Sequence, residues 1–115
     1  NLFILKKGEK IIMEQINTEK FDELLKGDKP VVCDFFATWC GPCRMLAPVM
    51  DKVSAEFADK AVFVKVDIDQ NAELAVRYGI MSIPLVAVFK NGDKTADLLG
   101  YTDANGMTEF LNKNL

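Results

Sequence analysis

The chain has 115 residues, half of them hydrophobic, and its 14 basic and 17 acidic side chains leave a net charge of −3. This length fits a single domain, and the apolar content is enough for a core without disulfide staples. Charges of both signs are interspersed, and no basic block or aromatic–basic stripe suggests a nucleic-acid surface. Three cysteines in a chain of this size do not form a disulfide scaffold; they suit a reducing compartment and one functional pair.

The N-terminal segment carries one apolar run, Leu2-Phe3-Ile4-Leu5, and the first methionine is Met13. The run is too short for the hydrophobic region of a signal peptide or for a membrane span. We therefore expect no targeting segment and no membrane anchor here. If Met13 is the natural start, residues 1–12 are a leader or a cloning remnant and residues 13–115 form the domain.

The first part of the chain predicts a strand and a helix. Residues 10–16 alternate weakly, as a first strand would. Asn17 or Thr18 can then cap a helix whose apolar residues lie on one face, and Gly27 ends it.

A second strand is predicted at Val31–Ala37, and the stretch Arg44–Lys60 after it predicts an amphipathic helix with Pro48 inside. The β-branched run Ala61–Ile68 predicts a third strand. A short helix at Ala72–Tyr78 should follow, started by residues 69–71 and ended by a glycine.

The last part of the chain predicts a strand at Leu85–Lys90, a tight turn at Asn91-Gly92, a return strand at Thr95–Leu99 and a final helix opened by Thr102 or Asp103. The order of elements is thus β-α-β-α-β-α-β-β-α. Alternating units predict an α/β domain with a parallel section, to which the hairpin adds an antiparallel edge. Helices should cover both faces of the sheet.

Two thiols three positions apart stand out in Trp39-Cys40-Gly41-Pro42-Cys43, between the second predicted strand and the helix after it. Cys40 should therefore lie at or just before a helix N-terminus, where unpaired backbone N–H groups and the helix dipole favour an anion. The thiolate is the reactive form of cysteine, and such a position lowers the pKa of the thiol. The spacing predicts a pair that passes electrons by closing and opening a disulfide.

Three other interpretations compete with redox chemistry. A disulfide that closes so short a loop stabilises a fold by only about 2 kcal/mol, so a structural staple gains little. A zinc site needs four ligands, and this chain has no histidine and only one further cysteine, Cys33, so half of a site shared between two chains would be required. The third alternative is two unrelated core cysteines, and the Gly-Pro between them, which is expected to be exposed, argues against it.

With the strand, the Trp-Cys-Gly-Pro-Cys run, the Ile83-Pro84 loop and Lys90-Asn91-Gly92 in this order, the sequence resembles the thioredoxin family from Met13 to Leu115. The resemblance implies the thioredoxin fold, a central mixed sheet of about five strands flanked by about four helices. It also implies a protein-disulfide reductase in which Cys40 attacks the substrate disulfide and Cys43 resolves the mixed disulfide. No cofactor and no metal are implied.

Further site residues follow from the same resemblance, position by position. Gly41 and Pro42 match the dipeptide that tunes the pair, Asp34 the buried carboxylate, and Lys65 the lysine near it. The resemblance implies a cis Pro84 facing the disulfide, with Ile83 and Gly100 lining the substrate groove. Trp39 and Met81 are expected to border that groove.

The partners implied are disulfide-containing substrate proteins and a thioredoxin reductase as electron donor, for a cytoplasmic monomer that binds neither nucleic acid nor membrane. Two alternatives stay open: a protein-binding module in which the redox pair is incidental, and a dedicated reductant of one partner enzyme. The intact Cys40–Cys43 pair favours the general reductase.

Asp34 and Lys65 each allow two interpretations. A lone carboxylate in an apolar strand is unfavourable unless it is paired or protonated. Asp34 is either an edge residue facing solvent or a buried acid with a raised pKa that takes the proton of Cys43. Lys65 either partly offsets that burial or is a solvated strand lysine. Cys33 points to the opposite face of the strand and is expected to be a small core residue.

The sequence departs from the commonest family pattern at four positions. Phe36 stands where a second tryptophan is frequent, Ser82 where glycine is frequent, Leu85 where threonine is frequent, and Cys33 is an additional thiol. These departures bear on partner preference rather than on the chemistry of the redox pair.

Overall fold

Five strands and four helices alternate along residues 13–115, the part of the chain that the computed structural model describes. They are, in chain order, β1 (Glu14–Gln15), α1 (Thr18–Leu25), β2 (Val31–Phe36), α2 (Gly41–Glu56), β3 (Val62–Asp67), α3 (Ala72–Arg77), β4 (Leu85–Lys90), β5 (Asp93–Leu99) and α4 (Ala104–Asn114). The predicted order of elements is confirmed. The interpretation of residues 1–12 as a leader or remnant, and the start of the strand predicted at residues 10–16, lie outside the described residues.

The five strands form one mixed sheet in the order β1-β3-β2-β4-β5. Strands β1, β3 and β2 are parallel, and β4 is antiparallel to both β2 and β5. The antiparallel part is therefore larger than the hairpin predicted from the sequence, because the chain re-enters the sheet beside β2 in the reverse direction. The predicted fold class, a mixed sheet of five strands with four helices, is confirmed.

The two faces of the sheet pack on different helices. Alternate residues of β2 and β4, including Val32 and Val88, join buried side chains of α2 and α4 on one face. The intervening residues, including Val31 and Phe89, join α1 and α3 on the other. Successive side chains of a strand point to opposite faces, and helices cover both faces of β2. This is why the sequence of β2 is apolar apart from Asp34. Helices cover both faces, as the sequence predicts.

Two asparagines fix the starts of the helices in different ways. Asn17 caps α1, as predicted, because its side-chain oxygen accepts a hydrogen bond from the Lys20 N–H at 2.9 Å. Asn71 precedes α3 but makes no capping bond there. Its Oδ1 instead accepts the Thr18 N–H at 2.9 Å, and its Nδ2 donates to the Asp67 carbonyl at 3.0 Å. Asn71 thus fastens the start of α1 to the end of β3.

Helix α2 begins three residues earlier than the sequence predicts and ends four residues earlier. It starts at Gly41 because Pro42 needs no hydrogen-bond partner in the first turn and Cys40 serves as the N-cap. It ends at Glu56, and residues 57–60 form a turn instead. The early start places both cysteines within the first turn of the helix.

The hairpin between β4 and β5 generates the first prediction. Asn91 and Gly92 both have positive φ, at 53° and 86°, a backbone region that glycine adopts freely and that asparagine tolerates better than most residues. A Cβ at Gly92 would meet no atom closer than the Leu25 carbonyl oxygen at 3.8 Å, so only the backbone opposes a side chain. Gly92→Ala should lower the free energy of unfolding in urea by about 1 kcal/mol. Gly27→Ala, where the backbone has no positive φ, is the matched control and should change stability less; equal losses would contradict the assignment.

Candidate active site

Cys40 lies between the end of β2 and the first residue of α2. Its backbone is extended, and its Sγ accepts a hydrogen bond from the Cys43 N–H at 3.2 Å, so the residue is the N-cap of α2. Cys40 and Cys43 form a disulfide, with their Cα atoms 5.2 Å apart. When the bond is reduced, the free N–H groups of the first turn favour a thiolate at this position. The predicted placement of Cys40 at a helix N-terminus is confirmed.

The two cysteines face different openings on the surface. Cys40 borders a groove of about 490 Å³, called here the Trp39 groove. Its lining residues come from the start of α2 and from the loops after β3 and α3: Trp39, Cys40, Gly41, Pro42, Ile68, Ile80, Met81, Ser82 and Ile83. Cys43 borders a second cavity of about 280 Å³, called here the Asp34 cavity. It is lined by Asp34, Phe36, Ala37, Thr38, Cys43, Arg44, Ala47 and Lys65.

The Trp39 groove has an exposed apolar border. Trp39 is 66% exposed, and its indole Nε1 donates a hydrogen bond to the Asp69 carboxylate at 2.8 Å. That bond fixes the ring beside the disulfide. Met81 is 94% exposed across the groove, which is the position the sequence predicts. Two large apolar side chains are thus exposed on either side of one groove.

Ile83 presents its backbone to the disulfide: its carbonyl oxygen lies 3.9 Å from Cys40 Sγ. The Ile83–Pro84 peptide bond is cis, as the resemblance implies. Pro84 itself is buried behind the groove, and its carbonyl accepts the Gly100 N–H at 2.8 Å. Gly100 has a positive φ of 91° and does not line the groove. Gly100 and Pro84 are thus joined by a backbone hydrogen bond directly beside Ile83.

The Asp34 carboxyl is buried in the centre of the sheet. The residue is 3% exposed, and its Oδ1 has no hydrogen-bond partner. Removal from water raises the pKa of Asp34 from its ordinary value of 3.8 to about 7, while Lys65 lowers that pKa and Asp51 raises it. The interpretation of Asp34 as an edge residue facing solvent is wrong, because β2 is the middle strand and has a neighbour on each side.

Lys65 is the neighbour of Asp34 in the parallel register of β2 and β3. It is half-buried, and both residues line the Asp34 cavity. Its Nζ lies 5.7 Å from the centre of the Phe36 ring, on the ring face. The alternative of a lysine that is simply solvated does not fit this contact.

Cys33 is fully buried on the opposite face of β2. Burial, and after it the charge of Asp34, raise the pKa of the Cys33 thiol well above its ordinary value. The expectation of a small core residue is confirmed, and a thiol held in this form is unreactive.

Two lining residues of the Trp39 groove, Ile68 and Ile80, were given no role there from the sequence, and neither was Asp69, which accepts the Trp39 hydrogen bond. Ile68 and Asp69 follow β3, and Ile80 follows α3. A polar residue just beyond the end of a parallel strand, as Asp69 is two residues after β3, is a signal that could have been used, because the carboxyl ends of parallel strands meet at one edge. The apolar residues carry no such signal, since only the folded loops bring them to the groove.

A metal site requires a cluster of ligating side chains, and a membrane-spanning helix requires a long apolar stretch. No group of three or more His, Cys, Asp or Glu side chains within residues 13–115 is arranged to hold a metal ion, and Cys40 and Cys43 are bonded to each other. In the same range no helix is both long and apolar enough to cross a membrane.

A redox dithiol at the start of a helix that packs on a mixed sheet defines a thiol–disulfide oxidoreductase. Comparison with known proteins agrees. The model of the Thioredoxin family matches residues 12–113. The thioredoxin of Rickettsia bellii is 43% identical over 94 residues, which are 82% of this chain and 90% of that protein. The thioredoxin of Echinococcus granulosus is 40% identical over 103 residues, which are 90% of this chain and 94% of that protein.

A solved structure of Plasmodium falciparum thioredoxin superposes with a TM-score of 0.83 at 33% identity, covering 90% of this chain and all of that one. The chain belongs to the thioredoxin family. The resemblance seen in the sequence is thus confirmed. So is the activity that it implies, the reduction of protein disulfides by the Cys40–Cys43 pair.

The burial of Asp34 generates a prediction about stability and pH. Because the folded pKa is above the unfolded one, the protonated acid is favoured by folding, and Asp34 costs nothing below its unfolded pKa near 4. The cost grows as pH rises from about 4 to about 7 and then levels off, at about 4 kcal/mol for a shift of this size. Asp34→Asn should therefore gain stability over the native chain across that window, as measured by urea unfolding at pH 4, 5.5, 7 and 8.5.

The control for this prediction is Asp67→Asn. Asp67 is also 3% exposed, but its Oδ1 already accepts the Asp69 N–H at 2.8 Å. Asp67→Asn should gain no stability at pH 7. If Asp34→Asn is no more stable than the native chain at pH 7, the Asp34 carboxyl is not a desolvated acid.

Proposed function

We propose that Cys40 is the attacking thiol, Cys43 the resolving thiol, and Asp34 the acceptor of the Cys43 proton. The observation that carries this proposal is the separation of the two openings: Cys40 borders the Trp39 groove, and Cys43 borders the Asp34 cavity. A substrate protein reaches the groove, whereas the cavity holds the buried carboxyl. Each cysteine thus faces the group with which it has to react.

The reaction balances as two exchanges. The Cys40 thiolate attacks one sulfur of a substrate disulfide, forms a mixed disulfide and releases the other sulfur as a thiolate. Cys43 gives its proton to the Asp34 carboxylate, and the resulting thiolate attacks Cys40 Sγ. The second substrate sulfur leaves, the Cys40–Cys43 disulfide closes, and two electrons have passed to the substrate. Because the pKa of Asp34 is about 7, its carboxyl can accept and release a proton near neutral pH.

The Trp39 groove is the proposed binding surface for the substrate polypeptide. The Ile83 carbonyl, 3.9 Å from Cys40 Sγ, is placed to accept a backbone N–H from an extended segment, as in strand addition. Trp39 and Met81 supply apolar contact on either side. Gly41 and Pro42 add no charge beside the thiols, which favours a reducing pair. The cis Pro84, and Gly100, which donates to the Pro84 carbonyl, belong to the same proposed substrate surface beside Ile83.

The proposed context is a monomer in the cytoplasm that is recharged by a thioredoxin reductase and acts on several disulfide-containing proteins. Membership of the thioredoxin family supports this proposal. A protein-binding module would not need both cysteines, so the disulfide between them favours the reductase.

The first test of this mechanism is catalytic cycling. The reduced protein should accelerate the reduction of insulin by dithiothreitol, and Cys40→Ser or Cys43→Ser should abolish cycling. Cys43→Ser should still accumulate a mixed disulfide with insulin at Cys40, seen as a mass increase that a reductant removes. Cys33→Ser is the matched control and should retain the native rate, because Cys33 is buried on the far face. An unchanged rate in Cys40→Ser would rule out the mechanism.

The second test is the order in which the reduced thiols react. Cys40 should be alkylated first by iodoacetamide near pH 7, because it is at the helix N-terminus and borders the open groove. Cys43 should lag, and Cys33 should react only after unfolding, since burial raises its pKa. Peptide mass spectrometry after brief treatment measures the three sites. Faster labelling of Cys43 would reverse the assignment of the two thiols.

A further inference from the structure

Phe36 occupies a position that the reaction described so far does not use. Phe36 is the last residue of β2. It follows Asp34 by two positions, so the two side chains lie on the same face of the strand. The ring is half-buried: it packs against the cluster of Ala37, Cys40 and Cys43 and also lines the Asp34 cavity. Phe36 is therefore in contact with both the redox pair and the opening to the buried carboxyl.

The Lys65 ammonium lies over this ring. The Lys65 backbone pairs with Asp34 in the sheet, yet within residues 13–115 no ion pair of 4.0 Å or less joins the two side chains. The ammonium is instead 5.7 Å from the centre of the Phe36 ring, on the face where the electron density of an aromatic ring attracts a cation. An ammonium group is strongly hydrated and would otherwise extend into water.

We propose that Phe36 is a positioning residue for the reductase reaction: its ring holds the Lys65 ammonium beside the Asp34 cavity, near enough to favour the Asp34 carboxylate. The inference rests on the proposed role of Asp34 as proton acceptor. The ring and the ammonium act as a pair, so the effect of Phe36 on Asp34 passes entirely through Lys65.

The effect of the Phe36 ring and the Lys65 ammonium on the acidity of Asp34 depends on the other groups that face Asp34 from its neighbouring elements. Strand β3 contributes Lys65, and α2 contributes Asp51, Arg44 and the Cys43 thiol. On its other side Asp34 pairs with Val86 of β4, which carries no charge, and Cys33 precedes it on β2. Lys65 is the largest influence that opposes the desolvation of Asp34. Moving this one ammonium therefore changes the acidity of Asp34 directly.

The test measures the Asp34 carboxyl itself, by carbon-13 NMR titration of the oxidised protein. Phe36→Leu keeps an apolar side chain but removes the ring, so the ammonium moves into water and the pKa of Asp34 rises, by about half a pH unit for a contact worth 0.5–1 kcal/mol. Phe36→Tyr keeps the ring face and should titrate like the native chain. Phe36→Met is a second ring-free variant in case Phe36→Leu does not fold.

A double-mutant cycle separates positioning from packing. Lys65→Met should raise the pKa of Asp34 at least as much as Phe36→Leu, and adding Phe36→Leu to Lys65→Met should raise it no further. Lys60→Met is the matched control: it removes an ammonium at the same 5.7 Å distance from another ring, that of Phe57, beyond the end of α2. Lys60→Met should leave the titration of Asp34 unchanged.

An Asp34 pKa that is unmoved or lowered in the ring-free variants overturns the inference, and so does a shift that persists in the Lys65→Met background. These results would leave the proposed mechanism intact. That mechanism is tested separately by Asp34→Asn: if this variant resolves the mixed disulfide at the native rate, Asp34 is not the proton acceptor, whatever the titration of the Phe36 variants shows.

Discussion

The carboxyl group of Asp34 sits in the middle strand of the sheet, where apolar side chains and α2 have replaced the water that would solvate its charge. A charge in such a place is unfavourable, and the protein meets the cost by raising the pKa of the group to about 7 rather than by pairing it closely. The same burial brings Asp34 and Cys43 to one cavity. The burial that disfavours the charged carboxyl at neutral pH therefore also gives Asp34 the pKa that the proposed proton transfer from Cys43 requires.

The sheet order explains how residues from separate parts of the chain meet at this site. Strand β2 is central, so Asp34 has a neighbouring strand on each side. Cys40 follows Asp34 by six residues and lies at the start of α2. Strand β3 lies beside β2 and supplies Lys65 at the level of Asp34. The loop that precedes β4 supplies the Ile83 backbone on the other side of the disulfide. Three elements therefore meet around one sulfur pair.

Much of the fold was predictable because its signals are local. The hairpin at Asn91-Gly92 and the cap at Asn17 are both where the sequence predicts them. The predicted helical stretch began at Arg44, whereas α2 begins at Gly41, which agrees with the prediction that Cys40 lies at or just before a helix N-terminus. The antiparallel pairing of β2 with β4 could not be predicted, because strand direction depends on how the chain crosses the sheet and not on the residues of either strand.

The site was predictable where its residues are close in sequence and less so where only the fold joins them. The thiol pair follows from residues 31–43, whereas the burial of Asp34 stayed one of two interpretations until the family resemblance was added. The bond from Trp39 to Asp69 and the contact of Lys65 with Phe36 join residues about thirty positions apart. They depend on the register of β2 with β3, which the apolar patterns of the two strands do not define.

The central claim, that the Asp34 carboxyl accepts the Cys43 proton, is tested most directly by the pH dependence of one step. Mixed disulfide between Cys40 and a fluorescent peptide can be formed rapidly, and release of the peptide followed from pH 5 to pH 9. The account predicts that release in the native chain rises with an inflection near pH 7, where Asp34 titrates, and that Asp34→Asn releases the peptide more slowly and without this inflection. An identical profile in the two proteins would contradict it.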